Sequence, residues 1–475
     1  MTLSPTTRRA LVASGTVLCL LTGTAAALPA AAGPAHPPAA GPQGRTAAPT
    51  ATDPLGGELL AADDKVRLVW VGDQSGSKDQ NWGSGGTYHY VLRPVSGQAT
   101  PDVGWKVRFT LPEGQAFDSE YQQDQVTVAG STLTVAPAQD WRKKVPQNGL
   151  EIIVAWKEDP APIPAVPATT DTPATWAPYA DTSLYPEPDL PKIGQASGTR
   201  QFTTAFVVSD PTDRRTPVWG GQHSHPVSGN YTVPRINALR RAGGDVVVSF
   251  GGANNNELAQ DITDVGALTE AYGSVVERLK AYKLDFDVEG TAVVDTAANT
   301  RRAKALAALQ KRYTAKGTPL HISYTLPVLA SGLTPDGLKV VRNAVDNGLA
   351  VETWNVMAMD YGPPVKDMGQ AAIDAGNALH DQLATVYRGT PDAALWKMVG
   401  VTPMIGVNDS PGETFLLEDA RRLVRWATEK HIGRLSMWSA TRDHPCDKPT
   451  ASPVCSGMPD QQEYAFSLEL GKFTG

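Results

Sequence analysis

The sequence predicts an α/β protein, a parallel sheet wrapped by helices, with a small all-β module ahead of it. Two observations carry this prediction. From Trp176 to the end, short apolar runs alternate with amphipathic helical stretches, and strands that alternate with helices pair in parallel. From about residue 58 to residue 158, β-forming residues come in short runs separated by turn signals, the pattern of a β-sandwich. A length of 475 residues is too great for one core and agrees with two domains. The composition, 41% hydrophobic and 19% charged, is that of a folded protein. A formal net charge of −7 argues against a nucleic-acid partner, which would need a basic patch.

Taken in order, residues 1–32 read as a secretory signal. Arg8 and Arg9 precede an uncharged apolar stretch over 10–28, and Ala30, Ala31 and Ala32 offer a cleavage site. Gly15, Thr16, Thr22, Gly23 and Thr24 interrupt the apolar run, which favours cleavage over a membrane anchor. The expectation is a secreted, extracellular protein that keeps no membrane attachment. Residues 33–57, rich in Pro and Ala, form a disordered tether. Residues 159–175 contain Pro160, Pro162, Pro164, Pro167 and Pro173 and read as a stiff, extended linker. Of the three cysteines, Cys19 falls in the signal. Cys446 and Cys455 remain as an even pair, and an oxidising compartment makes a local disulfide the natural reading. His444 is nearby, but no second CxxC or His pair has ligand spacing, so no metal is expected.

Within the 58–158 block, strands are expected at 65–71, 87–93, 105–111, 125–128, 131–135 and 150–156. Gly85-Gly86, Pro112-Glu113-Gly114 and Ala129-Gly130 mark turns between them. The block holds five of the chain's eleven Trp: Trp70, Trp82, Trp105, Trp141 and Trp156. Trp105 and Trp156 lie in strand patterns and read as core. Trp82 and Trp141 lie among polar residues, and an exposed indole offers a flat apolar face to a sugar ring. The runs Gly104-Trp105-Lys106-Val107-Arg108-Phe109-Thr110-Leu111-Pro112-Glu113-Gly114-Gln115 and Val128-Ala129-Gly130-Ser131-Thr132-Leu133-Thr134-Val135 resemble family 2 carbohydrate-binding modules. The resemblance implies that Trp82, Tyr121 and Trp141 form a flat strip on polysaccharide. The family's end-to-end cysteine pair is missing. A spacer sandwich with no ligand is the competing reading.

The catalytic part is expected over 176–475, with strands at 176–179, 202–208, 245–250, 283–288, 321–326, 353–359, 398–404 and 434–438. Helical patterns fill most of the gaps, at 272–282, 300–315 and 419–430 among others. Eight strands in about 300 residues fit a (β/α)8 TIM barrel, with active groups at the C-terminal ends of the strands. An open doubly wound sheet would want a Gly-rich phosphate turn after the first strand, and residues 179–185 show none.

The chemistry concentrates in Leu284-Asp285-Phe286-Asp287-Val288-Glu289-Gly290. Alternate side chains of a strand share a face, so three carboxylates face the barrel lumen while Leu284, Phe286 and Val288 face the helices. Burying three unpaired acids is costly, and stacked like charges raise the pKa of at least one. A Glu held protonated near neutral pH is a workable general acid. Acids stacked along one strand do not surround an ion, which argues against a metal site. Other strand ends add Ser249-Phe250-Gly251-Gly252, Met359-Asp360-Tyr361 and Trp438. His223 and His225 read as a polar loop. Met357 and Met359 read as barrel packing, and Trp396 and Trp426 as core.

Together, Ser249-Phe250-Gly251-Gly252, Asp285-Phe286-Asp287-Val288-Glu289, Met359-Asp360-Tyr361 and Trp438 resemble the signature set of family 18 glycoside hydrolases, the chitinases. The resemblance implies that Glu289 protonates the glycosidic oxygen and that the 2-acetamido oxygen of the sugar attacks the anomeric carbon. It further implies that Asp287 orients the acetamido N–H and that Tyr361 holds the acetamido oxygen. Asp285 shares charge or a proton with Asp287, Asp360 contacts the sugar and Trp438 floors it. Met359, Ser249, Gly251 and Gly252 complete the substrate-binding set. The family places an Asp and a Gly where this chain has Tyr282-Lys283. The implied protein is a monomeric chitinase without cofactor. The alternatives are an endo-β-N-acetylglucosaminidase on N-glycans and a chitin-binding lectin, which would lack the acid that Glu289 supplies.

Overall fold

The computed structural model describes residues 55–475 apart from 62–64, 74–84, 101–103, 121–123, 159–163, 169–173 and Pro363. The expected signal, nearly all of the tether, Trp82 and Tyr121 lie outside the described residues.

Residues 55–158 form two four-stranded antiparallel sheets. One orders Glu58–Ala61, Lys106–Thr110, Thr132–Ala136 and Gln125–Ala129; the other orders Val66–Asp73, Gly85–Pro94, Leu150–Glu158 and Gln115–Glu120. Alternation drives the packing: along Lys106–Thr110 only Val107 and Phe109 are buried. They join Tyr90, Trp105, Leu133, Val135, Ile152 and Val154 in one core. Trp156 packs half-buried against that core. Glu58–Ala61 and Gln115–Glu120 were not expected as strands. Both are edge strands, where one side meets water and polar residues are tolerated. Leu55, expected in the tether, is only 1% exposed and its carbonyl accepts the Thr110 N–H at 3.0 Å. The sheet structure therefore recruits residues ahead of position 58.

The linker is not a free spacer where it is described. The Val166 N–H donates to Asn237 Oδ1 at 2.7 Å, Asn237 Nδ2 donates to Pro164 O at 3.1 Å, and Arg240 Nη1 donates to Val166 O at 2.6 Å. The module's own turn joins in through an Arg241–Glu113 ion pair at 2.9 Å. All three anchoring residues lie on the helix Val233–Arg241.

The rest is a mixed α/β fold around a curled parallel sheet. Its strands are β1 (Tyr179–Asp181), β2 (Gln201–Ser209), β3 (Asp245–Gly251), β4 (Lys283–Asp287), β5 (His321–Pro327), β6 (Thr353–Ala358), β7 (Val399–Pro403) and β8 (Arg434–Leu435). Neighbours in this order pair in parallel throughout. Pro217–Trp219 adds an antiparallel edge to β2. The two ends of the sheet meet: the Leu435 N–H donates to Thr175 O at 2.8 Å, and the Tyr179 N–H donates to Met437 O at 3.0 Å. Helices such as Val265–Leu279, Thr296–Ala315 and Leu417–Lys430 cover the outer face. Among the described residues, no helix is long and apolar enough to cross a membrane.

β4 shows how the pattern sorts itself. Phe286 points outward, stacked on Phe250 at 5.0 Å and edge-on to Tyr272 at 5.3 Å. Lys283, Asp285 and Asp287 take the other face. Lys283 Nζ meets Asp245 Oδ2 at 2.9 Å, and Arg240 completes that buried ion cluster at 2.8 Å. Tyr282, the departure from the family pattern, faces away from the acids and packs against Tyr313 at 6.1 Å. Cys446 and Cys455 form a disulfide with Cα atoms 6.0 Å apart.

Candidate active site

The lower acid is caged by hydroxyls. Asp285 accepts hydrogen bonds from Tyr179 Oη and Ser249 Oγ, both at 2.8 Å, from Ser323 Oγ at 2.7 Å and from Thr325 Oγ1 at 2.9 Å. Four donors from three different strands satisfy a carboxylate with no exposed surface. Asn355 extends the polar layer by donating to Thr325 Oγ1 at 3.0 Å. Ser249, expected to bind substrate, is wholly buried and instead holds Asp285.

One turn along the strand, Asp287 is buried, and burial together with the charges of Glu289 and Asp285 pushes its pKa well up. Glu289 lies just past the strand end, half-buried. Burial and, less strongly, the Asp360 charge push it up to about 7, against a hydrogen bond to Asp287 that holds it down. Such a pair titrates as a unit. Near neutral pH it carries an exchangeable proton at the mouth of the sheet, which is what a general acid requires. Asp287 Oδ1 is buried without a hydrogen-bond partner among the described residues, and so is Tyr361 Oη.

A cavity of about 320 Å³ opens over these acids. Asp287, Glu289, Asp360, Met359 and Trp438 line it together with Tyr179, Phe206, Thr325 and Met404. Trp438 stands half-buried, its ring stacked on Phe206 at 5.7 Å and tilted against Tyr179 at 5.9 Å. Gly251 and Gly252 are not among the lining residues. A Cβ on Gly251 would lie 2.1 Å from the Asp287 carbonyl oxygen, so this glycine serves the close approach of β3 to β4. A Cβ on Gly252 would meet the Phe206 ring at 2.7 Å. Asp285 and Tyr361 likewise stand behind the wall.

Tyr179, Phe206, Thr325 and Met404 escaped the sequence reading as site residues. Tyr179 and Phe206 lie in expected strands, so the rule that places active groups at strand ends could have found them. In the module, Trp141 is 65% exposed. Its neighbour Arg142 is buried and donates to Asp124 at 2.6 and 2.5 Å, which fixes the short turn that displays the indole. His223 Nδ1 lies 2.5 Å from Asp210 Oδ2 and His225 stacks on Tyr231 at 3.7 Å. Among the described residues no cluster of potential metal ligands occurs.

No family model matches the chain. Among solved structures it is similar to the catalytic domain of a hyperthermophilic chitinase from Pyrococcus furiosus, at 34% identity and a TM-score of 0.58, covering 64% of this chain and 96% of that one. The chain belongs to the family 18 chitinases. Active domain 2 of the thermostable Pyrococcus furiosus chitinase, solved with chito-oligosaccharides, matches this chitinase-family chain equally well, at 33% identity and a TM-score of 0.58. A probable bifunctional chitinase/lysozyme from Escherichia coli (strain K12) is 38% identical over 310 residues, 63% of this chain and 34% of that protein. Endochitinase 11 of Metarhizium anisopliae is 38% identical over 279 residues, 57% of this chain and 52% of that protein. The chain thus spans between about a third and a half of the length of the curated relatives it matches. Chitinases are glycosidases.

Proposed function

We propose that the protein is a secreted chitinase that cleaves β-1,4-linked N-acetylglucosamine polymers with retention, using the substrate's own acetamido group as nucleophile. One observation carries this reading: Asp287, which lines the cavity beside the acid Glu289, keeps its Oδ1 buried with no hydrogen-bond partner among the described residues. An unsatisfied buried polar group costs about 1–3 kcal/mol. An acetamido group has the matching donor, an N–H for Asp287.

Glu289 gives its proton to the glycosidic oxygen as the bond to the anomeric carbon breaks. The acetamido oxygen closes on that carbon and forms an oxazolinium ion, whose charge Asp287 offsets. Glu289, now a carboxylate, takes a proton from the water that opens the ring, and the sugar leaves with its β configuration. Trp438 supplies an apolar floor. The curled sheet is read as a closed (β/α)8 barrel, since its ends are joined by hydrogen bonds. The two-sheet module is read as a carbohydrate-binding module that offers Trp141 to the polymer, and residues 1–32 as its export signal. The protein is taken to act as a monomer.

The test is product analysis on chitin oligomers by NMR, with chitosan and a glycoprotein in parallel. Fresh product should be the β anomer of N-acetylglucosamine oligomers, and Glu289→Gln should reduce turnover at least about 10³-fold while leaving binding. Release of the α anomer, or turnover by Glu289→Gln close to wild type, would sink the mechanism. Activity confined to the glycoprotein would replace chitin with N-glycan as the substrate.

A further inference from the structure

Glu413 belongs to none of the strands that carry the acids. It sits in the short hairpin after β7, whose strands Gly406–Val407 and Thr414–Phe415 pair antiparallel. A Glu in a loop normally keeps its carboxylate in water, yet this one is 0% exposed. Its oxygens reach across to the turn after β6. Oε2 accepts the Tyr361 N–H at 3.2 Å and Oε1 accepts the Val365 N–H at 3.4 Å, and the Asp360 N–H also bonds to this carboxyl group. Asp360 has φ of +49°, in the left-handed region that few residues with side chains adopt. Successive N–H groups in such a bend turn to one side and form a nest for an anion. Glu413 fills that nest. From the same hairpin, the Ser410 N–H donates to Asp360 Oδ1 at 2.7 Å. One loop therefore fixes both the backbone and the side chain of the Asp360–Tyr361 turn.

We propose that Glu413 is a positioning residue, which holds this turn in its left-handed conformation so that the Asp360 side chain stays set in the cavity that receives the substrate. The inference rests on the chitinase reading above and deepens it. A group displaced by about 1 Å can cost about 10²-fold in rate, and no other side chain among the described hydrogen bonds takes the Tyr361 N–H.

The test is a set of kcat and KM values on chromogenic chito-oligosaccharides for wild type, Glu413→Ala, Glu413→Gln, Glu413→Asp, Asp360→Asn and the Glu413→Ala/Asp360→Asn pair. Glu413→Ala should lower kcat about 100-fold with KM changed far less. Glu413→Gln keeps the reach and an acceptor oxygen, and should stay within about fivefold of wild type. Once Asp360→Asn is present, adding Glu413→Ala should cost less than about threefold more, because residues that act through one another are not additive. Full activity in Glu413→Ala, or independent losses that multiply in the pair, would overturn the proposal. Should the Ala variants fail to fold, the Asp variant decides: its carboxylate is drawn back by one methylene, so activity equal to that of Glu413→Gln would overturn the proposal and a loss of most of kcat would support it. Wild type that leaves chito-oligosaccharides intact is a different result, which removes the chitinase reading and this inference with it.

Discussion

In the proposed mechanism Glu289 must hold a proton at the pH of work and yield it in one step. Its group titrates near 7 because burial disfavours the carboxylate and Asp360 adds a like charge. The sign of the pH dependence follows. The acid form is needed, so kcat/KM should fall as pH rises through about 7. Asp360→Asn removes a charge that raises Glu289, so the alkaline limb should move to lower pH even as overall activity drops. A pH–rate profile on soluble oligomers checks this, and a limb that stays put or moves upward would show that Asp360 does not set the acid's titration. The acids were legible in the sequence because alternation puts three carboxylates on one face of an otherwise apolar strand. Glu413 was not, because a Glu in a Gly- and Ser-containing loop looks like any solvated carboxylate. Only the fold reveals that its two oxygens meet backbone N–H groups some fifty positions away.

At the scale of elements, each strand of the parallel sheet lies within a few residues of its expected place, since continuous apolar runs between helical periods mark parallel strands. What the pattern could not reveal are contacts that depend on register. Gly251 faces Asp287 across the β3–β4 pair, and its φ of +99° suits glycine alone. Gly251→Ala brings a Cβ to 2.1 Å from a backbone oxygen, so β4 must shift with Asp287 on it. The expected cost is roughly 2–4 kcal/mol of stability. Calorimetry should show the lower Tm, and the folded fraction should lose turnover on oligomers well beyond the loss of folded protein. An Ala variant with unchanged Tm and kcat would mean that this approach of strands does not position the acid. The Ser249 hydroxyl illustrates the same limit: next to glycines at a strand end it resembles a ligand contact, but register turns it inward to Asp285.

At the scale of the whole molecule, the question is how the module and the catalytic part travel together. The Pro-rich composition of 159–175 leads one to expect an extended chain but is silent on what the chain touches. Asn237 is wholly buried. Its amide pairs with the linker as a peptide group would, accepting from Val166 and donating to Pro164. Each such bond contributes about 1 kcal/mol net, and the exposed Arg241–Glu113 pair adds less than that. The docked state is therefore favoured by a modest margin that one substitution can reverse. Asn237→Ala should raise the population of released linker about tenfold, which corresponds to about 1.4 kcal/mol. Protease cleavage within 159–173 should accelerate by a similar factor, and small-angle scattering should show a broader distribution of sizes. Soluble oligomers reach the cavity without the module, so their kcat/KM should not change. If the module binds polysaccharide as proposed, degradation of insoluble chitin should change by several-fold. Cleavage at the wild-type rate in Asn237→Ala would show that the linker is held by something other than this amide. An equal change on soluble and insoluble substrate would place the effect in the parallel-sheet part rather than in the docking of the module.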